Sequence, residues 1–231
     1  RGSVTVRHPY RPGPFFLLMP INQQPAMVTV NLAALPEAVS VPAMRTADGT
    51  VFRKAAETLA RHERVVIKVG GGGRRFGPQI AQLAERTGAA VVLSPTALGV
   101  LPDSHAQNMH VGGSKGSISG NFAMEQATLL VVIGSRAVCQ SDCSGIGYPR
   151  VTEVINLNGD IDDLTHYNDT QSIPGDIGAN LEQLVAAVGE VPPAADKAAW
   201  LAACADKKAE WASLKQQRVA AIAPLDDVWQ R

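Results

Sequence analysis

A run of four glycines has the position and composition of a phosphate-binding turn. Gly70 to Gly73 follow an apolar stretch and precede a segment with helical spacing, and Arg74 and Arg75 come directly after them. Glycine backbone can approach a phosphate closely, and the N-terminus of the next helix adds partial positive charge. Because the run lacks the spacing of the dinucleotide fingerprint and the lysine of a Walker motif, a tight turn that binds nothing is the alternative.

A second glycine-rich stretch, Gly112 to Ser117, also lies just before a predicted helix, with His110 upstream. Such a loop can wrap the polar part of a cofactor. Either Ser117 or Ser119 can cap the helix that follows. The alternative interpretation is a surface loop that carries a solvated histidine.

Polar residues also stand where two further apolar runs end. Gly134, Ser135 and Arg136 close one run, and Asn156 and Asn158 close the next. Ligands of open α/β sheets bind beyond the carboxyl ends of the strands, where Arg136 can meet a phosphate or stack on an adenine. A residue that binds the ribose of a nucleotide would be expected at the end of the run that carries Asn156 and Asn158, although a carboxylate would bind ribose hydroxyls better than an amide does. The alternatives are an ordinary surface arginine and turn-forming asparagines.

The remaining polar residues form no recognisable catalytic or metal-binding group. The histidines have no evident nucleophile as a partner, and Ser144 does not stand in the G-x-S-x-G elbow of hydrolases. Cys139 and Cys143 would need two further metal ligands, and none is suitably spaced nearby. The acidic residues at 160–163 lack calcium-loop spacing and favour a helix N-terminus. We therefore predict no catalytic residue and no metal ligand in this chain.

Composition narrows the class of protein. The 231 residues are 45% hydrophobic, and 21 basic residues balance 21 acidic ones. A neutral chain argues against nucleic acid or an anionic membrane as the partner, because such binding depends on excess Lys and Arg. No apolar run reaches the ~18 residues of a membrane span. Without a signal-peptide pattern, and with an odd number of cysteines predicted to be free thiols, the chain is expected to be cytoplasmic.

Alternating strands and helices must position these candidate residues. Apolar runs predict strands at 64–69, 89–93, 128–133 and 151–157, with a short fifth at 172–176 at best. Helical spacing predicts helices at 51–62, 77–87, 117–126, 161–167, 177–188 and 196–219, with Gly88 as a C-terminal cap and a long loop over 96–116. The alternation predicts an α/β fold over residues 51–190, an open doubly wound parallel sheet that is Rossmann-like.

The flanking segments are less regular. Residues 1–27 contain the apolar run Phe15–Met19, which suits a buried strand that needs partners, and residues 28–50 are expected to form a linker. Both ends of the chain look cut, so we expect a piece of a longer polypeptide. After a proline-containing linker, the charged helix at 196–219 is expected to bury Trp200, Leu201, Cys204, Trp211 and Leu214.

The order of these motifs resembles that of thiamine-diphosphate-dependent enzymes. Residues 12–20 (PGPFFLLMP) are similar to the close of their pyrimidine-binding domain, and residues 64–73 (RVVIKVGGGG) to the opening of their central domain. Further central-domain motifs are matched in the same order at residues 93–102, 110–123, 125–136, 155–158 and 174–184. The resemblance covers roughly residues 12–190, and it is nearest to the acetolactate synthase-like group.

The resemblance implies a parent subunit of three domains. Residues 1–27 would end a truncated pyrimidine-binding domain, 28–50 link it to the central domain at 51–190, and 191–231 lead to a diphosphate-binding domain. The glutamate that activates thiamine would lie upstream of this chain, and the motif that binds Mg²⁺ and diphosphate downstream of it. The resemblance thus implies a thiamine diphosphate- and Mg²⁺-dependent lyase or transferase.

Such an enzyme makes or cleaves carbon–carbon bonds next to a carbonyl. The resemblance implies that it works as a homodimer or homotetramer, and that this chain alone is inactive and has the rest of its own polypeptide as its partner.

In this family the central domain binds FAD in some members, ADP in another and nothing in many. By the matched motifs, the resemblance implies cofactor binding at seven positions: Gly71, Gly72, His110, Gly112, Ser135, Arg136 and Asn158. Asn156 and Asn158 replace two acidic residues of the family. Two other interpretations stay open, a free-standing FAD- or ADP-binding module and a structural assembly domain of the same fold.

Overall fold

Six parallel strands form one sheet in the computed structural model of the protein, which describes residues 2–8, 12–35, 42–136, 147–165, 170–192 and 194–221. The strand order is β3-β2-β1-β4-β5-β6, and every pairing is parallel. The chain builds outward from β1 to β3, then returns to pair β4 with the other side of β1. This reversal confirms the predicted doubly wound α/β architecture. The strands are β1 Val65–Val69, β2 Ala90–Leu93, β3 Asn108–Val111, β4 Leu129–Ile133, β5 Glu153–Asn158 and β6 Thr170–Pro174.

Helices cover both faces of the sheet, which explains the continuous apolar strands. One face packs on α2, α3 and α5, and its core includes Ile67, Leu83 and Leu181. The other face packs on α4 and α6 through residues such as Val66 and Met124. Buried faces on both sides are what parallel sheets require. The helices are α1 Gly2–Val6, α2 Gly49–Arg61, α3 Gly77–Thr87, α4 Ile118–Gln126, α5 Ile177–Glu190 and α6 Ala198–Ala221.

Local chemistry fixes where the helices begin and end. The side chains of Asp48, Ser117 and Asp176 accept hydrogen bonds from backbone N–H groups in the first turns of α2, α4 and α5. Gly88 ends α3 in the left-handed conformation, with φ of 61°. The predicted caps at Ser117 and Gly88 are therefore confirmed.

The predicted loop over 96–116 was wrong in part, because it contains β3. A buried amide explains why the strand is hidden in the sequence: Asn108 is fully buried in β3 and donates to the carbonyl oxygens of Leu101 and Pro102. A polar residue at a core position breaks the apolar pattern that reveals a strand. The fifth predicted strand is present and starts earlier, at Thr170.

The predicted strand at Phe15–Met19 was also wrong. These residues lack regular secondary structure and expose their side chains, with Phe16 88% and Leu18 90% accessible. No strand in the described part of the chain pairs with them, and an apolar run without a partner strand has no ladder to join. The helix expected at 161–167 is a short 3₁₀ turn, Ile161–Asp163, and residues 166–169 lie outside the described part.

Helix α6 lies against α4 through a small aromatic contact. Trp200 stacks on Phe122 with ring centroids 6.2 Å apart, and Cys204 is buried beside them. Burial raises the pKa of the Cys204 thiol to about 12. Of the five residues expected to be buried, Trp200 and Cys204 are, Trp211 and Leu214 are half-buried, and Leu201 is exposed. Within the described residues, no helix is long and apolar enough to cross a membrane.

Lys197 joins the segment before α6 to two helix ends. Its ammonium group donates to the carbonyl oxygens of Leu59 at 2.8 Å and Thr87 at 2.6 Å, in the last turns of α2 and α3. A cation at helix C-termini satisfies carbonyls that have no partner within the helix. Partial burial lowers the pKa of Lys197 from 10.5 to about 8.

Two glycine turns meet where β1 and β4 end. The N–H of Gly70 donates to the carbonyl of Ile133, and the N–H of Gly72 donates to that of Gly134, which has φ of 56°. A Cβ added at Gly134 would lie 2.6 Å from the Gly72 carbonyl carbon. The two backbones touch only because neither turn carries a side chain there.

We predict that Lys197→Met changes the pH dependence of stability. Below the folded pKa of about 8, wild-type Lys197 is charged in both states, and burial penalises the folded one. As pH rises towards 10.5, the unfolded chain retains the proton that the folded chain has lost, so wild-type stability rises relative to the variant. Urea unfolding across this range measures the difference. The same change at exposed Lys54 is the control, and an equal trend there would contradict the prediction.

We also predict that Gly134→Ala destabilises the fold more than Gly99→Ala. Both glycines have positive φ, so each substitution carries a backbone cost of roughly 1–2 kcal/mol. Only Gly134 has backbone atoms in the path of the new methyl, since a Cβ at Gly99 meets nothing within 4 Å. Overpacking adds about 1–3 kcal/mol. Equal unfolding free energies for the two variants would show that the turns can move apart.

Candidate functional site

A cavity of about 600 Å³ lies beyond the carboxyl ends of β1, β2, β3 and β4. It sits where the strand order reverses, which is the usual position of ligands in doubly wound sheets. Loops from four strands form its walls: Gly70, Gly71, Gly72, Ser94, Pro95, Thr96, Val111, Gly112, Ser114, Lys115, Gly134, Ser135 and Arg136. Five of the seven predicted site residues line it, and His110 and Asn158 do not.

The turn after β1 presents bare backbone to the cavity. The N–H groups of Gly70, Gly72 and Gly73 all donate to protein carbonyls, so they are not available to a phosphate as the glycine run alone had indicated. A Cβ at Gly71 would come within 3.2 Å of Thr96 Oγ1 across the cavity wall. The turn therefore allows close approach of a ligand, while charge must come from other residues.

Ser94 gives the cavity a buried hydroxyl without a partner. Its N–H donates to the Val69 carbonyl at 2.8 Å, which fixes the residue at the end of β2. The side chain is 5% exposed, and its Oγ has no hydrogen-bond partner among the described residues. A buried hydroxyl without a partner costs about 1–3 kcal/mol, which a ligand in the cavity can recover. Sequence reasoning missed Ser94, although a serine directly after an apolar strand was a signal.

The loop after β3 brings Lys115 to the cavity in place of His110. His110 has φ of 64°, and its Nδ1 lies 3.6 Å from Asp103 Oδ1, away from the lining. Burial lowers the pKa of the His110 imidazole, and nearby Asp103 opposes that shift. Gly112, another of the predicted site residues, lines the cavity, and a Cβ there would meet the side chains of Met124 and Val92.

Arg136 and Ser135 line the cavity at the end of β4. Asn158 does not line the cavity but contacts a residue that does. Its Nδ2 donates to the Ser135 carbonyl at 3.0 Å, and its Oδ1 accepts from the Asp160 N–H. Asn156 donates to the carbonyl oxygens of residues 163 and 164. Both amides thus hold the turns around β5. This arrangement matches the turn-forming interpretation of the asparagines.

The charges of the cavity are of one sign. Lys115 and Arg136 line it together with polar and apolar residues, and no acidic side chain belongs to the lining formed by the described residues. Neither cation forms an ion pair in the part of the chain that the structure describes. A guanidinium and an ammonium group that line one cavity with an unpartnered hydroxyl can bind an anion.

A metal centre is not evident in the described residues. No group of three or more His, Cys, Asp or Glu side chains is placed to hold a metal ion within those ranges. The residues Cys139, Cys143 and His166 lie outside them. The thiamine diphosphate–Mg²⁺ pair, which the resemblance assigns to other domains of a parent enzyme, finds no metal ligand set among the described residues.

Comparison with known proteins agrees with the fold. Residues 52–184 match the family described as "Thiamine pyrophosphate enzyme, central domain". The chain is 33% identical over 141 residues to an acetolactate synthase of Mycobacterium bovis, which covers 60% of this chain and 21% of that protein. It is 30% identical over 127 residues to the large subunit of acetolactate synthase isozyme 1 of Escherichia coli, 54% of this chain and 22% of that protein.

The family model covers much of this chain, whereas this chain covers only a small part of its relatives. The chain spans about a fifth of the length of the curated relatives it matches. The family match, by contrast, includes β1 to β6 and most of α5, more than half of the 231 residues. The chain belongs to the central-domain family of thiamine pyrophosphate enzymes.

Proposed function

We propose that this chain is the central domain of an acetolactate synthase-like enzyme and that its own ligand is an adenine nucleotide, FAD or ADP. The family match supports the first part. The observation that carries the second is the cavity at the strand-order reversal, where Lys115 and Arg136 lack acidic partners among the described residues and Ser94 has an unpaired hydroxyl.

Each lining residue has a distinct role in this proposal. Arg136 and Lys115 hold the diphosphate, with the planar guanidinium available for two parallel hydrogen bonds. Ser94 donates to a polar atom deeper in the cavity, and the Gly71–Gly72 backbone lets the ligand approach. Asn158 is a positioning residue, because it fixes the Ser135 carbonyl and with it the start of the Arg136 loop.

The reaction of the parent enzyme belongs to residues outside this chain. Thiamine diphosphate with Mg²⁺ supplies an electron sink that makes or cleaves bonds next to the carbonyl of a 2-keto acid. We assign the binding of that cofactor to other domains of a parent homodimer or homotetramer, since the described residues offer no metal ligand set. The central domain then contributes the nucleotide site and the connection between those domains.

We predict that FAD or ADP binds the purified chain and that Arg136→Gln weakens binding roughly tenfold or more, the cost of losing a charged hydrogen bond. Ser94→Ala weakens it a few-fold, because a neutral hydrogen bond is worth about 0.5–1.5 kcal/mol. Calorimetric titration measures both. Arg53→Gln, on an exposed position of α2, is the matched control. No binding of either nucleotide, or equal weakening by the control, would contradict the nucleotide site.

We further predict that the chain alone does not convert pyruvate in the presence of thiamine diphosphate and Mg²⁺. A longer polypeptide encoded by the same gene is expected to do so, because the cofactor must be held between two further domains. Product formation by each protein is the measurement. Turnover by the chain alone would refute the assignment of catalysis to other domains, and tight nucleotide binding with no thiamine-dependent longer form would favour the free-standing module.

A further inference from the structure

A second cavity, of about 680 Å³, lies at the opposite end of the strands from the proposed nucleotide site. Three helices end at its wall, because residues from the last turns of α2, α3 and α5 line it. Since α2 and α3 lead directly into β1 and β2, the cavity lies where those strands begin. The segment that connects α5 to α6, which includes Lys197, completes the wall. The two cavities share no lining residue.

Two helix ends hold the amino group of Lys197 at this wall. Its Nζ donates to the carbonyl oxygens of Leu59 at 2.8 Å and Thr87 at 2.6 Å, and both of these residues line the cavity. The aliphatic part of the Lys197 side chain passes close to Gly88, where an added Cβ would lie 3.0 Å from Lys197 Cδ. Glycine at position 88 therefore leaves the space through which Lys197 reaches the two carbonyls.

No carboxylate pairs with Lys197 within the described ranges. Among the described residues of the wall, the other charged side chains are those of Arg86, Glu190 and Asp196. None of the three forms an ion pair with Lys197, and Arg86 Nη1 donates instead to the Val185 carbonyl at 3.0 Å. Burial of Lys197 is therefore not offset by a paired negative charge, and it lowers the pKa of the ammonium group to about 8.

The neutral form of Lys197 can keep both of its hydrogen bonds. An ammonium group has three N–H donors, whereas a neutral amine has two donors and one lone pair. Within the described structure, Nζ has two acceptors, so loss of the third proton removes neither bond. The lone pair then takes the remaining position on a nitrogen whose side chain lines the cavity. A desolvated lysine with a free lone pair is a nucleophile.

We propose that Lys197 is a site of acylation by a small activated acyl group, carried as a thioester or as an acyl phosphate. The lone pair of Nζ forms a bond to the acyl carbon, and the bond from that carbon to sulfur or to the phosphate oxygen breaks. The thiolate or phosphate leaves with the bonding electrons, and the nitrogen loses one proton to water. Ala56, Leu59 and Val188 give the cavity an apolar wall against which the acyl chain can lie.

An uncharged amide fits this position better than the other products that a nucleophilic lysine forms. The C-terminal ends of three helices place partial negative charge here, so the carbamate formed with CO₂ would be repelled. A neutral imine formed with an aldehyde or ketone has no N–H and would leave both carbonyls without their donor. An amide keeps one N–H for one carbonyl. Acylation thus removes one of the two hydrogen bonds that join Lys197 to α2 and α3.

Acetylation of the purified chain, followed by peptide mass spectrometry, tests this site. The two probes are N,S-diacetylcysteamine, a neutral thioester, and acetyl phosphate. At pH 8 about half of Lys197 is neutral, so we expect it to react with the thioester roughly fivefold or more faster than Lys54, an exposed lysine of α2. The partial negative charge of the helix ends predicts a smaller preference for Lys197 with acetyl phosphate. A larger preference with acetyl phosphate would instead identify an acyl phosphate as the donor.

The same reaction in concentrated urea separates the effect of the folded cavity from that of the local sequence. The preference for Lys197 over Lys54 is expected to disappear there, because burial and both carbonyl contacts are lost on unfolding. In the folded chain the preference is also expected to fall as pH rises from 8 towards 10.5, since ordinary lysines then become neutral as well. Equal rates at Lys197 and Lys54 in the folded chain with both probes, or a preference that persists in urea, would overturn the proposal.

Discussion

The contact between the turns after β1 and β4 determines how closely the loops approach each other at the carboxyl ends of these strands. Gly72 and Gly134 meet backbone to backbone, and hydrogen bonds from Gly70 and Gly72 join the turns. Because a side chain on either turn would force the strand ends apart, the glycines determine how closely the two loops approach. The first cavity opens beside this contact, and Gly70, Gly72 and Gly134 all belong to its lining.

The same contact explains why charge and backbone have separate roles in the site. The N–H groups of Gly70 and Gly72 join the two turns, and that of Gly73 donates to the Gly70 carbonyl, so these three N–H groups are not available to an anion. Positive charge comes instead from longer loops, through Lys115 after β3 and Arg136 after β4.

Sequence reasoning succeeded where one physical rule decided the outcome. Continuous apolar strands and capped helices predicted the sheet and the helix ends at Ser117 and Gly88, because burial and capping act locally. Sequence reasoning failed where the outcome depends on which residues surround a position in the folded chain. β3 is hidden by the buried amide of Asn108. Spacing also does not say which side of a loop faces the cavity, which Lys115 lines and His110 does not. Cofactor binding by the seven predicted site residues therefore stays a prediction, although five of the seven line one cavity.

Binding of a ligand in the cavity beyond β1 to β4 would also stabilise the loops that line the cavity. Ser94, Lys115 and Arg136 come from loops after three different strands, and the described chain leaves the Ser94 hydroxyl and both cations without a hydrogen-bond or ionic partner. A ligand that contacts all three binds only the folded arrangement, so it stabilises the domain by about 2.7 kcal/mol at a hundredfold excess over Kd. Such a ligand would therefore stabilise the loops after β2, β3 and β4 together.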